Sequence, residues 1–258
     1  MLRFKNLGSG SSGNATVVES RSGSSVTRLL VDCGLGLGHL DARLAQAGLV
    51  ASQLDAVFIT HEHGDHVGCV QKLVQRERMA VWMSHGTHLA MGAPDLQGLL
   101  RLARDGVPIA LGSMELRPFT VPHDAREPLQ LSCGDGASRL GILTDLGHAT
   151  AHVTQHLSGC DALLLECNHD PHMLAASRYP TFLKRRVGGL LGHLSNAASA
   201  TLAAALRHPR LQRVVAAHLS EQNNLPDLAR AALAQALGCA GSDIGVAHAV
   251  QGTPWIQL

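Results

Sequence analysis

Asp55-Ala56-Val57-Phe58-Ile59-Thr60 runs without a break into His61-Glu62-His63-Gly64-Asp65-His66. The first part has the apolar, β-prone composition of a buried strand. The second part places His61, His63, Asp65 and His66 within six residues. In an extended segment alternate side chains share a face, so His61 and His63 can grip one cation, and the turn at Gly64 carries Asp65 and His66 to a second. Imidazoles and a carboxylate suit Zn²⁺ or Mn²⁺ alike. A turn of solvated histidines is the competing reading, and four potential ligands so close together stand against it.

Outward from this stretch the chain alternates strands and helices. Val26–Asp32 reads as a strand, His39–Ala47 as a helix, Val67–Arg78 as a helix, Met79–Met83 as a strand and Thr87–Leu102 as a helix interrupted near Gly92-Ala93-Pro94. Strands follow at Val107–Leu111, Met114–Val121, Leu129–Cys133 and Arg139–Leu143. The second half repeats the rhythm: helix Ala149–Leu157, strand Ala162–Leu165, helix Ser195–Leu206, strand Arg213–Ala217, helix Leu225–Leu237 and strand Ile244–Ala247. Strands gathered in each half with helices outside predict a four-layer αβ/βα sandwich of two mixed sheets. No internal repeat, low-complexity tract or linker divides the 258 residues, so a single domain over 1–258 is expected.

Composition narrows the function. Sixteen His exceed the seven aromatics, Phe 4, Trp 2 and Tyr 1, a skew that core packing does not require and metal or acid/base chemistry uses. The net charge of +1 excludes a strongly basic nucleic-acid coat. Few aromatics predict little base stacking and a substrate held mainly by its phosphates. The six Cys form no CxxC pair, which fits a reducing compartment. No apolar run approaches a membrane span and the start MLRFKNLGSGSSGN has no signal-type apolar region, so a cytoplasmic protein without membrane association is expected. Oligomeric state leaves no mark, and a homo-oligomer stays open.

The HxHxDH run after an apolar strand resembles the signature of the metallo-β-lactamase superfamily. Val121-Pro122-His123-Asp124 and Leu143-Thr144-Asp145-Leu146-Gly147 are similar to its later motifs, in order, and His218-Leu219-Ser220 to its last. The resemblance implies that His123 completes the first metal site, that Asp145 bridges two cations and that His218 serves the second. It also implies a site between the edges of two sheets. Taken singly, His123 reads equally as a loop residue and Asp145 as a helix cap.

Fold alone does not give function, so the surrounding residues carry the next step. Gly8-Ser9-Gly10-Ser11-Ser12-Gly13-Asn14 reads either as a flexible turn or as a loop whose N–H groups and hydroxyls, Ser11, Ser12 and Asn14 among them, hold phosphate oxygens. With Val31-Asp32-Cys33-Gly34, Glu166-Cys167-Asn168-His169-Asp170, Gly192-His193-Leu194-Ser195-Asn196 and His218-Leu219-Ser220-Glu221-Gln222-Asn223-Asn224, it resembles the YycJ/WalJ-type branch, linked to 5′-to-3′ exonuclease activity on DNA. Similarity to ribonuclease Z in the order Glu166, His193, His218 implies that His193 contacts phosphate or leaving group and that Glu166 orients it, with Asp65 aligning the attacking water. Asn168, Ser195 and Asn196 are further candidate substrate contacts, the last two reading equally as helix capping. His169 is a possible further histidine of the site.

The resemblance thus implies phosphodiester hydrolysis with two divalent cations, on single-stranded DNA ends in the first place and on RNA as a second possibility. Arg178 to Arg186 carries four cations in nine residues, Lys184 and Arg185 included, and reads as a guide for a nucleic-acid strand or as a solvated helix face. Tyr179 stacks on a base or packs on the sheet. The chain has no room for the helical insert of the β-CASP nucleases and lacks the long arm of ribonuclease Z. A phosphodiesterase for cyclic or small nucleotide substrates, a thioester or lactone hydrolase of the glyoxalase II or lactonase kind, and a non-enzymatic metal-binding module are the rival readings.

Overall fold

The protein is described by a computed structural model covering residues 1–258. In chain order the strands of the first half are β1 (Leu2–Gly8), β2 (Ala15–Ser22), β3 (Ser25–Val31), β4 (Ala56–Phe58), β5 (Ala80–Met83) and β6 (Leu100–Leu102). Those of the second half are β7 (Ile109–Leu111), β8 (Met114–Thr120), β9 (Leu129–Gly134), β10 (Arg139–Leu143), β11 (Ala162–Glu166), β12 (Arg213–Ala217) and β13 (Ile244–Val246), and β14 (Ile256–Gln257) closes the chain. The helices are α1 (Leu37–Gln46), α2 (Gly64–Val67), α3 (Val70–Glu77), α4 (His85–Ala90), α5 (Ala151–Leu157), α6 (Pro171–Ala176), α7 (Thr181–Val187), α8 (Asn196–Ala205) and α9 (Pro226–Leu237).

Two seven-stranded sheets result, ordered β14-β1-β2-β3-β4-β5-β6 and β13-β12-β11-β10-β9-β8-β7. Both are mixed as expected. β1 to β3 pair antiparallel and β3 to β6 parallel, while β7 to β10 pair antiparallel and β10 to β13 parallel. The inner faces meet through Phe4, Val18, Leu29 and Phe58 from the first sheet and Leu116, Leu131, Ile142 and Leu164 from the second. Outside the first sheet, α1 and α3 lay Leu40, Leu44, Leu73 and Val74 on Leu30, Val57 and Val81. Outside the second, α5, α8 and α9 lay Val153, Leu157, Leu202 and Leu233 on Leu163, Leu165 and Ala216. β11 is buried along its whole length, as a parallel strand covered on both faces must be. Each fully buried aliphatic or phenyl group in these layers contributes about 1.5–3 kcal/mol.

Two expected helices differ from what forms. Thr87–Leu102 is not one helix: α4 ends at Ala90, Ala93 and Gln97 take positive φ, and Leu100–Leu102 adds an edge strand beside β5. Pro94 lacks an N–H and disfavours helix at the residue before it, which breaks the helical pattern there. Val67–Arg78 is divided at Gly68, where φ is 23° and a Cβ would stand 2.5 Å from the Cys33 carbonyl oxygen. The same close packing recurs at Gly34, whose absent Cβ would overlap the Asp65 carbonyl oxygen at 1.7 Å. This contact seats the Asp65 turn directly on the end of β3.

Candidate metal centre

The ends of β3, β4, β10, β11 and β12 emerge on one side of the sandwich, and the side chains just beyond them converge. His61, His63 and His123 form one group of donors, Asp65, His66 and His218 another, and Asp145 stands with His61 and His66. Thus the seven expected ligands, which come from four separate chain segments, meet in one place. His63 Nδ1 lies 3.0 Å from His61 Nε2 and 3.3 Å from His123 Nε2. Asp145 Oδ2 is 3.1 Å from His66 Nε2, and Oδ1 is 3.5 Å from His218 Nδ1.

The hydrogen bonds behind these rings decide which nitrogen carries a lone pair. Asp32, at φ 60° just past β3, accepts from the Thr60 N–H at 2.8 Å and from the Thr60 hydroxyl. That hydroxyl is left to accept from His61 Nδ1 at 3.0 Å, and Asp32 Oδ2 accepts from His66 Nδ1 at 2.8 Å. His123 Nδ1 donates to the Gly192 carbonyl at 3.0 Å. In all three rings Nδ1 is thus committed to the protein and Nε2 faces the cluster, the arrangement that metal-binding histidines need. Asp32 and Thr60 have no assigned role in the sequence reading. The signal was the carboxylate at the end of a buried strand, but it acquires meaning only once β3 is known to lie beside β4.

Without a cation, carboxylates and imidazoles of the cluster balance one another's charge. Burial disfavours the ionised Asp145, yet His218, His66 and His61 outweigh it and hold its carboxyl well below the usual range. Asp65 is lowered to about 2 against its burial by His218 and His66. Burial opposes a charged His66, but Asp145 and Asp32 raise it well above its ordinary value; against the same penalty Asp145, Asp65 and Glu166 push His218 up to about 10. Burial, reinforced by neighbouring imidazoles, moves His61 and His123 down, leaving them neutral. Asp145 Oδ2 is buried without a well-formed hydrogen bond. An orphaned carboxylate oxygen facing a ring of imidazole nitrogens is costly for protein alone and fits a divalent-cation donor set.

Glu166, fully buried at the end of β11, accepts from His193 Nδ1 at 2.7 Å and lies 3.2 Å from His218 Nδ1. Its other oxygen receives the N–H groups of Leu146 and Leu194. Burial opposes the charged form of His193, but Glu166 and Asp145 raise its pKa. Its Nε2 makes no bond within the protein.

The expected substrate contacts divide. Asn14 binds Asp65 Oδ2 at 3.2 Å and both polar groups of Gly10, and Ser9 accepts the His218 N–H at 2.7 Å, so the Gly8–Asn14 loop is packed against the centre. Ser11 and Ser12 face outward and, with Tyr179, Ser220, Glu221 and Gln222, line a cavity of about 260 Å³. Asn168, Ser195 and Asn196 are committed to the fold: Asn168 Nδ2 donates to the His218 carbonyl, Ser195 caps α8, and Asn196 exchanges amide bonds with Asn224. His169 is buried in the loop after β11. Lys184 turns back to the Ala175 carbonyl, Arg186 pairs with Asp124, and Arg185 makes no ion pair. Beside them Phe182 is 72% exposed, an aromatic surface the composition did not foreshadow.

Comparison with known proteins supplies the relatives. The profile of the metallo-beta-lactamase superfamily matches residues 8–165. The chain is 32% identical to the exodeoxyribonuclease YycJ of Bacillus anthracis over 98% of this chain and 95% of that protein. It is 30% identical to the exodeoxyribonuclease WalJ of Streptococcus pneumoniae over 98% and 94%. Among solved structures, the metallo-beta-lactamase fold protein YhfI from Bacillus subtilis superposes with a TM-score of 0.74 at 16% identity, over 100% of each chain. No helix is long and apolar enough to cross a membrane.

Proposed function

The chain belongs to the metallo-beta-lactamase superfamily, and from that premise we propose that it is a metal-dependent exonuclease that hydrolyses single-stranded DNA from its 5′ end. The observation that carries this reading is the Glu166–His193 pair on the rim of the donor cluster, 2.7 Å between Oε1 and Nδ1. A phosphodiester needs a proton for its leaving oxygen, and His193 presents a free Nε2 backed by a carboxylate. A thioester expels a thiolate, which leaves without a proton near neutral pH, and so gives that pair no task. Full-length similarity to two exodeoxyribonucleases supports DNA as the substrate.

His61, His63 and His123 would hold one cation and Asp65, His66 and His218 a second, with Asp145 between them. When bound, such cations supply Lewis acidity toward the phosphate and a hydrolytic water ionised near neutral pH. Asp65, fixed by the Asn14 amide, orients that water and keeps a carboxylate available to it. His193 donates its Nε2 proton to the departing oxygen, and Glu166 holds the ring at the required angle. Ser11 and Ser12 offer hydroxyls to the strand beyond the scissile bond. Arg185 and Phe182 on α7 offer a cation and a stacking face for the nucleotides that follow.

The test is metal-loaded protein assayed on 5′-phosphorylated single-stranded DNA, RNA, a cyclic phosphodiester and a thioester. Mononucleotides released in order from the 5′ end of DNA are expected. Cleavage of the thioester with every phosphodiester left intact would overturn the reading, and cleavage of the cyclic compound alone would replace the polymer with a small substrate.

A further inference from the structure

His152 and His156 lie outside the centre, one turn apart on α5. Residues four apart share a helix face, and these two rings meet edge to face with centroids 4.5 Å apart. Asp105, in the loop between β6 and β7, reaches the same face, with Oδ1 2.9 Å from His152 Nε2. The three donor atoms lie within 4.8 Å of one another. Both flanks of this cluster are fixed: Asp105 Oδ1 also receives the Thr120 N–H at 2.9 Å, and His156 stacks on the buried Phe119 ring at 5.1 Å and 18°.

We propose that Asp105, His152 and His156 form a separate divalent-cation site for Zn²⁺ or a metal of similar softness. Two imidazoles and one carboxylate are a common zinc donor set, and bonds of about 2.0–2.2 Å need only a small convergence of these partly exposed side chains. Protonation states favour it. Burial opposes ionisation of Asp105, but the Thr120 N–H and His152 keep its carboxyl below the usual range. Burial and the neighbouring His152 lower His156, which leaves a neutral ring with a lone pair. A plain Asp105–His152 hydrogen bond accounts for two of the residues and gives the His156 ring, edge-on to His152, no role.

The location gives the site a consequence. Thr120 ends β8, whose continuation carries His123, and α5 begins shortly after Asp145. An ion that joins Asp105 to α5 therefore ties together, from the outer layer, the two segments that bring His123 and Asp145 to the centre. The site itself is independent of the proposed activity.

The test is an equilibrium Zn²⁺ titration of the full chain against a chromophoric chelator, beside the His152→Ala/His156→Ala double variant, with circular dichroism reporting the fold. The wild type is expected to bind one more ion per chain than the folded variant, and anomalous scattering at the zinc edge from crystals should place that ion among the three side chains. Equal stoichiometry, or no anomalous peak there at saturating zinc, overturns the proposal. Asp105→Asn keeps an acceptor for Thr120 and serves if the double variant unfolds: it should lose the extra ion and keep those of the centre, and retention of the extra ion counts against the site.

Discussion

Glu166 faces two histidines that the proposed chemistry uses in different ways. His218 Nε2 also lies 3.4 Å from Asp65 Oδ2, within the donor group of His66, whereas His193 binds Glu166 through Nδ1 and its Nε2 has no partner in the protein. His193→Ala should therefore keep its full metal content and lose turnover by about 10²–10⁴, the range of a missing general acid. His218→Ala should lose a cation, and metal analysis beside kcat reads both; the reverse pattern would exchange the two roles. Proton uptake gives a second check. With its imidazole raised from 6.5 to about 10, His218 stabilises the metal-free fold fully below pH 6.5, and that gain is lost as pH rises through about 10. A cation needs the lone pair instead, so zinc affinity should climb over this window and binding at pH 7 should release protons. Calorimetry in buffers of different ionisation enthalpy measures the release, and none at pH 7 would contradict the assignment. At this scale His61 to His66 are legible in the sequence because their geometry is local. Asp32 is not, because its partner His66 is set by the parallel pairing of β3 with β4.

Among the elements, α7 shows how a charge run acquires direction. Its residues read from sequence as either a solvated face or a strand guide, and the fold separates them: Lys184 and Arg186 serve the protein itself, while Arg185 and Phe182 remain outward. The helix is held at the centre, since the Val187 carbonyl accepts the His193 N–H at 2.8 Å and Arg186 reaches Asp124 beside His123. Phe182→Ala and Arg185→Ala should each raise KM for single-stranded DNA about tenfold, as loss of a base stack worth about 1–3 kcal/mol implies. Hydrolysis of a small aryl phosphodiester should stay unchanged. Steady-state kinetics on the two substrates checks this, and an equal loss on both would remove α7 from the substrate path. Strands and helices with a clear hydrophobic period were legible, as β8, β10 and α9 were. The stretch from Thr87 was not, because its helical pattern continues past Pro94 while the backbone cannot.

Over the whole molecule the centre joins the two sheets. His61, His63, Asp65 and His66 follow a strand of the first sheet, and His123, Asp145 and His218 follow strands of the second. Cations held as proposed would crosslink the sandwich at one end, and their removal should loosen it. At a thousandfold excess over Kd a ligand adds about 4 kcal/mol, which a chain of this size registers as roughly 10 °C in Tm. Scanning calorimetry with and without a chelator measures the difference, and an unchanged Tm would argue against cations that bridge the sheets. By itself the sequence determined the alternation of strand and helix and the clustering of His61, His63, Asp65 and His66 at one strand end, all features of short range. Only the tertiary structure decided that Asp32 and Thr60 set the imidazole tautomers, that Asn168 and Asn196 belong to the framework, and that Phe182 is exposed. Each depends on which distant backbone lies alongside, and that choice is made by the burial of two sheets against each other.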